Sequence, residues 1–148
     1  MFKIVQQSKD NTCVAAVLAM ITNNTEQYVL DWFEHQDAPF CDDDAIIFLA
    51  HHGIFFAVCG TIIDDNKQGK DLSKFSTLEI TYDLNKCTAY LIVESYTRKE
   101  LSHAVLLKEG LIYDPLCNKP QKLNKYKVLY FYPLLITENR EKIAQLSS

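Results

Sequence analysis

A polar stretch at residues 7–12 leads without a break into an apolar, alanine-rich run at residues 13–21. The run contains good helix formers and no Gly or Pro, so it predicts a helix that begins at Thr12 or Cys13. Asn11 or Thr12 is the expected N-cap. A helix that is apolar on all sides has to be buried, so this element constrains how the rest of the chain can fold.

Cys13 is then expected in the first turn of a buried helix. Free backbone N–H groups and the positive end of the helix dipole favour the thiolate there, and the thiolate is the nucleophilic form of cysteine. The position therefore indicates covalent catalysis. The alternative is that Cys13 is only a small apolar residue at a helix start, since free cysteines are often buried.

Gln7 lies six residues before Cys13, in the loop that enters the helix. A cysteine that attacks a carbonyl group needs hydrogen-bond donors for the developing oxyanion. The Cys13 backbone N–H can supply one donor, and the side-chain amide of Gln7 can supply the second. The neighbouring Gln6 remains an alternative, because spacing alone does not separate the two glutamines.

A base and a group that orients it are predicted further along the chain. Residues 104–107 and 111–113 predict two short strands joined by a Glu-Gly pair, which is typical of a hairpin. His103 precedes the first strand and Asp114 follows the second, so antiparallel pairing brings them to one end of the hairpin, nearly opposite each other. The two residues would complete a triad with the cysteine. The alternative is a strand-edge histidine and a turn aspartate without a shared role.

In this order the residues resemble those of papain-like cysteine peptidases, and more narrowly those of bacteriocin-leader (double-glycine) peptidase domains. Such domains carry a Gln, a Cys at the same spacing that opens an Ala-rich helix, a His that starts a hydrophobic strand, and an Asp-Pro pair after the next strand. The matching residues here are Gln7, Cys13, Ala16, Leu18, Ala19, Met20, Ile21, His103, Ala104, Val105, Leu106, Asp114 and Pro115.

The resemblance implies a papain-like α+β fold and a cysteine peptidase that cleaves a peptide or isopeptide bond, with cleavage after Gly-Gly. It assigns the catalytic roles to Cys13, His103, Asp114 and Gln7. The family has Asp-Cys-Gly where this chain has Val14 after the cysteine, and loss of that Gly could crowd the oxyanion site. The alternatives are an inactive binding module on the same fold, or a deamidase or acyl transferase that uses the same triad.

The order of the predicted elements also indicates an α+β domain, with N-terminal helices packed on a mostly antiparallel sheet. Further helices are expected at residues 25–34 and 45–52, and a strand at 88–95. A closing strand is expected at 127–132, ended by Pro133. The 148 residues fit a single domain. Residues 137–148 are expected to form a short amphipathic helix or a frayed tail.

Composition excludes several other classes of function. A net charge of −4 argues against nucleic acid as the partner, and no apolar run is long enough to span a bilayer. The chain has five cysteines, without Cys-x-x-Cys spacing or a recognisable signal peptide, which predicts reduced thiols in the cytoplasm. No cofactor is expected. The acidic triplet at residues 42–44, with His51, His52 and Cys59, fits no zinc or calcium spacing and is better explained as a helix start. The expected partner is a peptide or protein substrate.

Overall fold

The computed structural model describes residues 3–33, 42–56, 61–62, 74–76, 81–83, 85–95 and 101–136. In chain order its elements are α1 (Cys13–Thr22), α2 (Glu26–Trp32), α3 (Asp42–His51), β1 (Ile54–Phe56), β2 (Thr61–Ile62), β3 (Lys74–Ser76), β4 (Thr81–Asp83), β5 (Thr88–Glu94), β6 (Ser102–Lys108), β7 (Leu111–Tyr113), β8 (Gln121–Lys122) and β9 (Val128–Ile136). A single 3-10 turn, Leu123–Lys125, lies between β8 and β9. The tail predicted at residues 137–148 lies outside the described residues.

Seven of the described strands form one antiparallel sheet. Its order is β1-β9-β5-β6-β7-β8, and β2 pairs with β9 beside β1. The strands β3 and β4 form a separate antiparallel pair. Helix α1 packs against β6, α2 and α3. The expected α+β class, with N-terminal helices on an antiparallel sheet, is therefore confirmed.

Helix α1 is the centre of the main core. Every residue from Val14 to Ile21 is buried, so the helix has no solvent-facing side over that length. It packs with Phe48 of α3, Tyr90 of β5 and Leu106 of β6 in one hydrophobic cluster. Burial of each large apolar side chain contributes roughly 1.5–3 kcal/mol, which explains why the sheet and the other helices form around this run.

Along β5 and β6, every second side chain belongs to the main core, and the side chains between them form a second hydrophobic cluster. It contains Leu91 of β5, Val105 of β6 and Phe131 of β9. Leu123 and Tyr126, from the segment between β8 and β9, also belong to this cluster and are buried. The segment before β9 is thereby held against the sheet by burial of its own side chains.

The hairpin of β6 and β7 forms as predicted. Lys108 pairs with Leu111, and the two residues between them, Glu109 and Gly110, have positive φ angles of 52° and 81°. Two such residues make the tight turn whose twist matches that of the strands.

The register of this hairpin defines how far apart His103 and Asp114 lie. Extended by one residue past Tyr113, it sets Asp114 across from Val105, two residues along the strand from His103. An even offset keeps two side chains on the same face of a sheet, so His103 and Asp114 can still meet.

The prediction that β9 ends at Pro133 is wrong, because the strand continues to Ile136. Proline cannot donate a ladder hydrogen bond and is tolerated where no partner strand needs its N–H. Within the sheet Pro133 pairs with Ala89 of β5, so the proline is accommodated in the strand. The third helix also starts earlier than predicted, at Asp42, so the acidic triplet lies within its first turn.

Candidate active site

The N-terminus of α1 has no side-chain cap. Thr12 occupies the N-cap position, as one of the two expected residues, but its hydroxyl makes no capping hydrogen bond. It folds back instead, donating to the Lys9 carbonyl at 3.0 Å and accepting from the Lys9 N–H at 3.1 Å. The first N–H groups of the helix have no intrahelical acceptor, so they remain available to groups beside Cys13.

Cys13 is the first residue of α1 and is half-buried. Its thiol is hydrogen-bonded to the His103 side chain and also lies against the backbone N–H groups of Ala104 and Val14. Burial raises the pKa of Cys13, but these donors and the nearby imidazole charge more than offset burial, so the pKa lies below the ordinary 9.0. The site therefore favours a thiolate.

His103 connects the cysteine to a carboxylate. The ring is 8% exposed, and its Nε2 atom lies 2.7 Å from Oδ1 of Asp114. Nδ1 is then the ring nitrogen left to face the thiol. Burial lowers the pKa of His103, but hydrogen bonds and charges from Asp114 and Cys13 outweigh it and raise the pKa to about 9. At neutral pH the arrangement favours an imidazolium between two anions.

The carboxylate of Asp114 is 2% exposed and has a donor on each oxygen. Oδ1 accepts from His103 Nε2 and from the Leu116 N–H at 2.9 Å, while Oδ2 accepts from the Tyr126 hydroxyl at 2.8 Å. Burial raises the pKa of Asp114, but these donors and the His103 charge more than offset it, so the pKa lies below 3.8. Asp114 thus stays ionised despite its burial.

The structure therefore brings three predicted residues together from two distant parts of the chain. Cys13, His103 and Asp114 form a continuous series of hydrogen bonds. The sequence pattern does not mark Tyr126 as a neighbour of this series. Its side chain lies in the core, and its hydroxyl contacts Asp114. A tyrosine in an apolar pattern gives no sequence signal for the partner of its hydroxyl.

The loop that holds Gln7 is fixed at two points. The Gln7 N–H donates to the Pro115 carbonyl at 3.0 Å, directly after Asp114. The Ser8 N–H donates to a carboxylate oxygen of Glu26 at 2.9 Å, and the Ser8 hydroxyl donates to the other. These contacts hold the loop between the Asp114 turn and the start of α2.

The side chain of Gln7 has a hydrogen bond, but not with the cysteine. Its Nε2 donates to the Lys9 carbonyl at 2.8 Å, and its Oε1 is buried without a hydrogen-bond partner. Among the described residues, no recorded hydrogen bond joins Gln7 to Cys13. An amide nitrogen carries two protons, so one remains for a substrate. Gln6 is exposed, whereas the backbone of Gln7 is hydrogen-bonded to Pro115, next to Asp114.

Val14 stands where the resembling peptidases have Gly. Its side chain is 7% exposed and packs in the main core cluster, against which Cys13 also packs. Its backbone N–H approaches the Cys13 sulfur.

A second thiol lies close to Asp114 and differs electrostatically from Cys13. The Cys117 N–H donates to the Asp114 carbonyl at 2.9 Å within the turn. Burial and the negative charge of Asp114 raise the pKa of Cys117 above the ordinary 9.0. Cys117 is therefore expected to be the less reactive of the two thiols.

No group of His, Cys, Asp and Glu side chains in the part of the chain that the structure describes could hold a metal ion. His52, one of the weighed ligands, uses both ring nitrogens: Nδ1 lies 2.7 Å from the Phe48 carbonyl and Nε2 lies 2.9 Å from the Tyr28 hydroxyl. Within the same described ranges, the helices are all too short or too polar to cross a bilayer.

Comparison with known proteins adds no family to this description: no protein-family model matches the chain, and no curated protein matches it. Interpretation of the site therefore depends on its geometry and chemistry.

Proposed function

We propose that this chain is a cysteine hydrolase of papain-like fold that cleaves a peptide or isopeptide bond. The observation that carries the proposal is the series of hydrogen bonds from the Cys13 thiol through His103 to the buried Asp114 carboxylate. The helix that begins at the nucleophile packs on the strand that carries the base, as the resemblance to papain-like peptidases implies.

The reaction proceeds through a thioester. The Cys13 thiolate attacks the substrate carbonyl carbon, and the oxyanion accepts hydrogen bonds from the Cys13 N–H and the Gln7 amide. The His103 imidazolium gives its proton to the leaving nitrogen as the C–N bond breaks. Water then attacks the thioester while His103 takes up a proton, and a free carboxylate leaves as the thiolate is restored.

Two electrophilic peptides test the site and its substrate together. A peptide aldehyde that ends in Gly-Gly should form a covalent adduct with Cys13, and a matched aldehyde that ends in Leu-Leu should react more slowly if the Gly-Gly preference of the resembling family holds. Cys117→Ala is the matched control for Cys13→Ala, because it also removes one thiol, which contacts Asp114 instead of His103. No adduct with either aldehyde would favour a non-catalytic binding module.

The product distinguishes hydrolysis from the other reactions of the same acyl-enzyme. In water enriched in ¹⁸O, a peptide library should acquire new C-termini that carry the heavy oxygen, and Cys13→Ala should abolish them. Heavy oxygen that enters glutamine side chains without chain cleavage would identify a deamidase. New amide bonds would identify an acyl transferase.

A further inference from the structure

We propose that Tyr126 is a positioning residue of this site, whose hydroxyl fixes the Asp114 carboxylate so that one oxygen faces His103. The inference rests on the proposed function, because it assigns Tyr126 a role in the same reaction. The contact that motivates it is the hydrogen bond of 2.8 Å from the Tyr126 hydroxyl to Oδ2 of Asp114.

The two oxygens of Asp114 have separate partners. Oδ1 accepts from His103 and from the backbone of Leu116, and Oδ2 accepts from the Tyr126 hydroxyl. The Cys117 thiol also contacts the carboxylate, but a thiol is only a weak donor. Asp114 is 2% exposed, so water has little access to Oδ2. A buried carboxylate oxygen without a donor is unfavourable, and the carboxylate would turn or take up a proton to relieve it. The Tyr126 hydroxyl prevents both changes.

Tyr126 is itself held in place by the fold. Its side chain is 3% exposed and packs in the second hydrophobic cluster with Leu123. Its N–H donates to the Leu123 carbonyl at 3.1 Å, which closes the 3-10 turn. The hydroxyl is therefore presented to Asp114 from a backbone that two independent interactions fix.

Loss of the hydroxyl has a defined electrostatic consequence. The titratable groups beside Asp114 are His103, Tyr126 and Cys117. A hydrogen bond to the charged form of an acid lowers its pKa, so removal of the Tyr126 hydroxyl raises the pKa of Asp114. Once Asp114 is protonated, His103 loses its counter-charge, and the thiolate of Cys13 is lost with it. The reactivity of Cys13 should then decline at a higher pH than in the unaltered chain.

The test compares two Tyr→Phe variants that each remove a hydrogen bond to an aspartate. Tyr126→Phe removes the bond to Asp114. Tyr132→Phe is the matched control, because Tyr132 is also buried and donates to Asp42 at 2.5 Å in another part of the fold. The measurement is the rate of Cys13 alkylation by iodoacetamide from pH 3 to 8, together with the melting temperature.

We expect both variants to melt slightly earlier and only Tyr126→Phe to change the chemistry. The midpoint of the Tyr126→Phe profile is the pH at which the rate of Cys13 alkylation falls to half on the acid side. This midpoint should rise by about half a pH unit or more, which is roughly a threefold loss of thiolate near the midpoint. If Tyr126→Phe is unfolded at the assay temperature, Tyr126→Met, which fills a similar space without a hydroxyl, takes its place.

Three results would overturn the inference. An unchanged midpoint in folded Tyr126→Phe would leave Tyr126 a packing residue, and equal shifts in Tyr126→Phe and Tyr132→Phe would show general loosening of the fold. Both results leave the proposed function standing, provided that alkylation of Cys13 still depends on His103. If Cys13 of the unaltered chain reacts no faster than Cys117, the proposed function fails as well.

Discussion

Replacement of Asp114 by Asn removes the charge from the site and keeps its hydrogen bonds. The two donors on Oδ1, His103 Nε2 and the Leu116 N–H, require an acceptor, which the Asn carbonyl oxygen provides. The Asn amide nitrogen then occupies the place of Oδ2 and faces Tyr126. A tyrosine hydroxyl can rotate to accept a hydrogen bond as well as donate one, so no buried partner is left unsatisfied.

The size of the effect follows from the pKa of His103. Its surroundings raise that pKa from 6.5 to about 9, a difference of 9 − 6.5 = 2.5 units, or about 3 kcal/mol. Asp114 is the largest contribution among those that raise the pKa, with Cys13 second. If the charge supplies about half, Asp114→Asn should cost the imidazolium about 1.5 kcal/mol and lower the pKa of His103 by about one unit. His103 then keeps most of its proton at pH 7, so Cys13 alkylation should slow there by at most about tenfold, and the decline of hydrolysis at high pH should begin about one unit lower.

Asp114→Ala is the harsher change, because it leaves two buried donors, on His103 and Tyr126, and the Leu116 N–H without their acceptor. Removal of one partner from a buried ion pair destabilises proteins by roughly 3–5 kcal/mol. The assay therefore measures alkylation rate and melting temperature on the same samples, well below the melting transition of each. If folded Asp114→Ala is alkylated as fast as the unaltered chain, the aspartate is only a turn residue, and the site is a dyad of Cys13 and His103.

Further predictions concern the thiols, the oxyanion donor and pH. Cys13 should be alkylated faster than Cys117 near neutral pH, since the pKa of the first is lowered and that of the second is raised; mass mapping of partial labelling measures this. Gln7→Ala should slow turnover by roughly a hundredfold or more with the fold intact, whereas Gln6→Ala should be silent; the reverse result would identify the wrong glutamine. Hydrolysis should decline as pH rises through about 9, because His103 then lacks the proton for the leaving nitrogen, while alkylation of Cys13 continues. The stability that protonated His103 contributes should be complete below pH 6.5 and disappear as pH rises through about 9, which melting curves of the unaltered chain and His103→Ala can compare.

The parts of the site that the sequence could predict are those with a local pattern. The start of α1 at Cys13 follows from the change from polar to apolar residues, and the hairpin between His103 and Asp114 follows from the Glu109-Gly110 turn. Tyr126 could not be predicted, because its role depends on how the segment before β9 folds over the sheet. That placement is decided by the packing of Leu123 and Tyr126 against residues of β5, β6 and β9.

Two further features, at Thr12 and Pro133, could not be predicted from the sequence, because they depend on which nearby group each residue pairs with. Thr12 occupies the predicted cap position, but its hydroxyl binds Lys9 instead of the helix. Pro133 was expected to end the last strand, but the strand continues through it to Ile136, with Pro133 paired to Ala89 of β5. For Thr12 the residue type predicted a helix start, and for Pro133 it predicted a strand end. In both cases tertiary structure decided which group the residue pairs with.

The hydrogen bond between Gln7 and Pro115 joins segments that are synthesised at very different times. Cys13 precedes His103 by 103 − 13 = 90 residues, and translation at about 5–20 residues per second separates them by about 5–20 s. During that interval Cys13 has neither its base nor the turn that anchors its loop, so it is an ordinary thiol. Under the proposed function, we therefore expect no active nucleophile in the nascent chain until the hairpin of β6 and β7 has been synthesised and has paired. Onset of Cys13 labelling would report the end of folding.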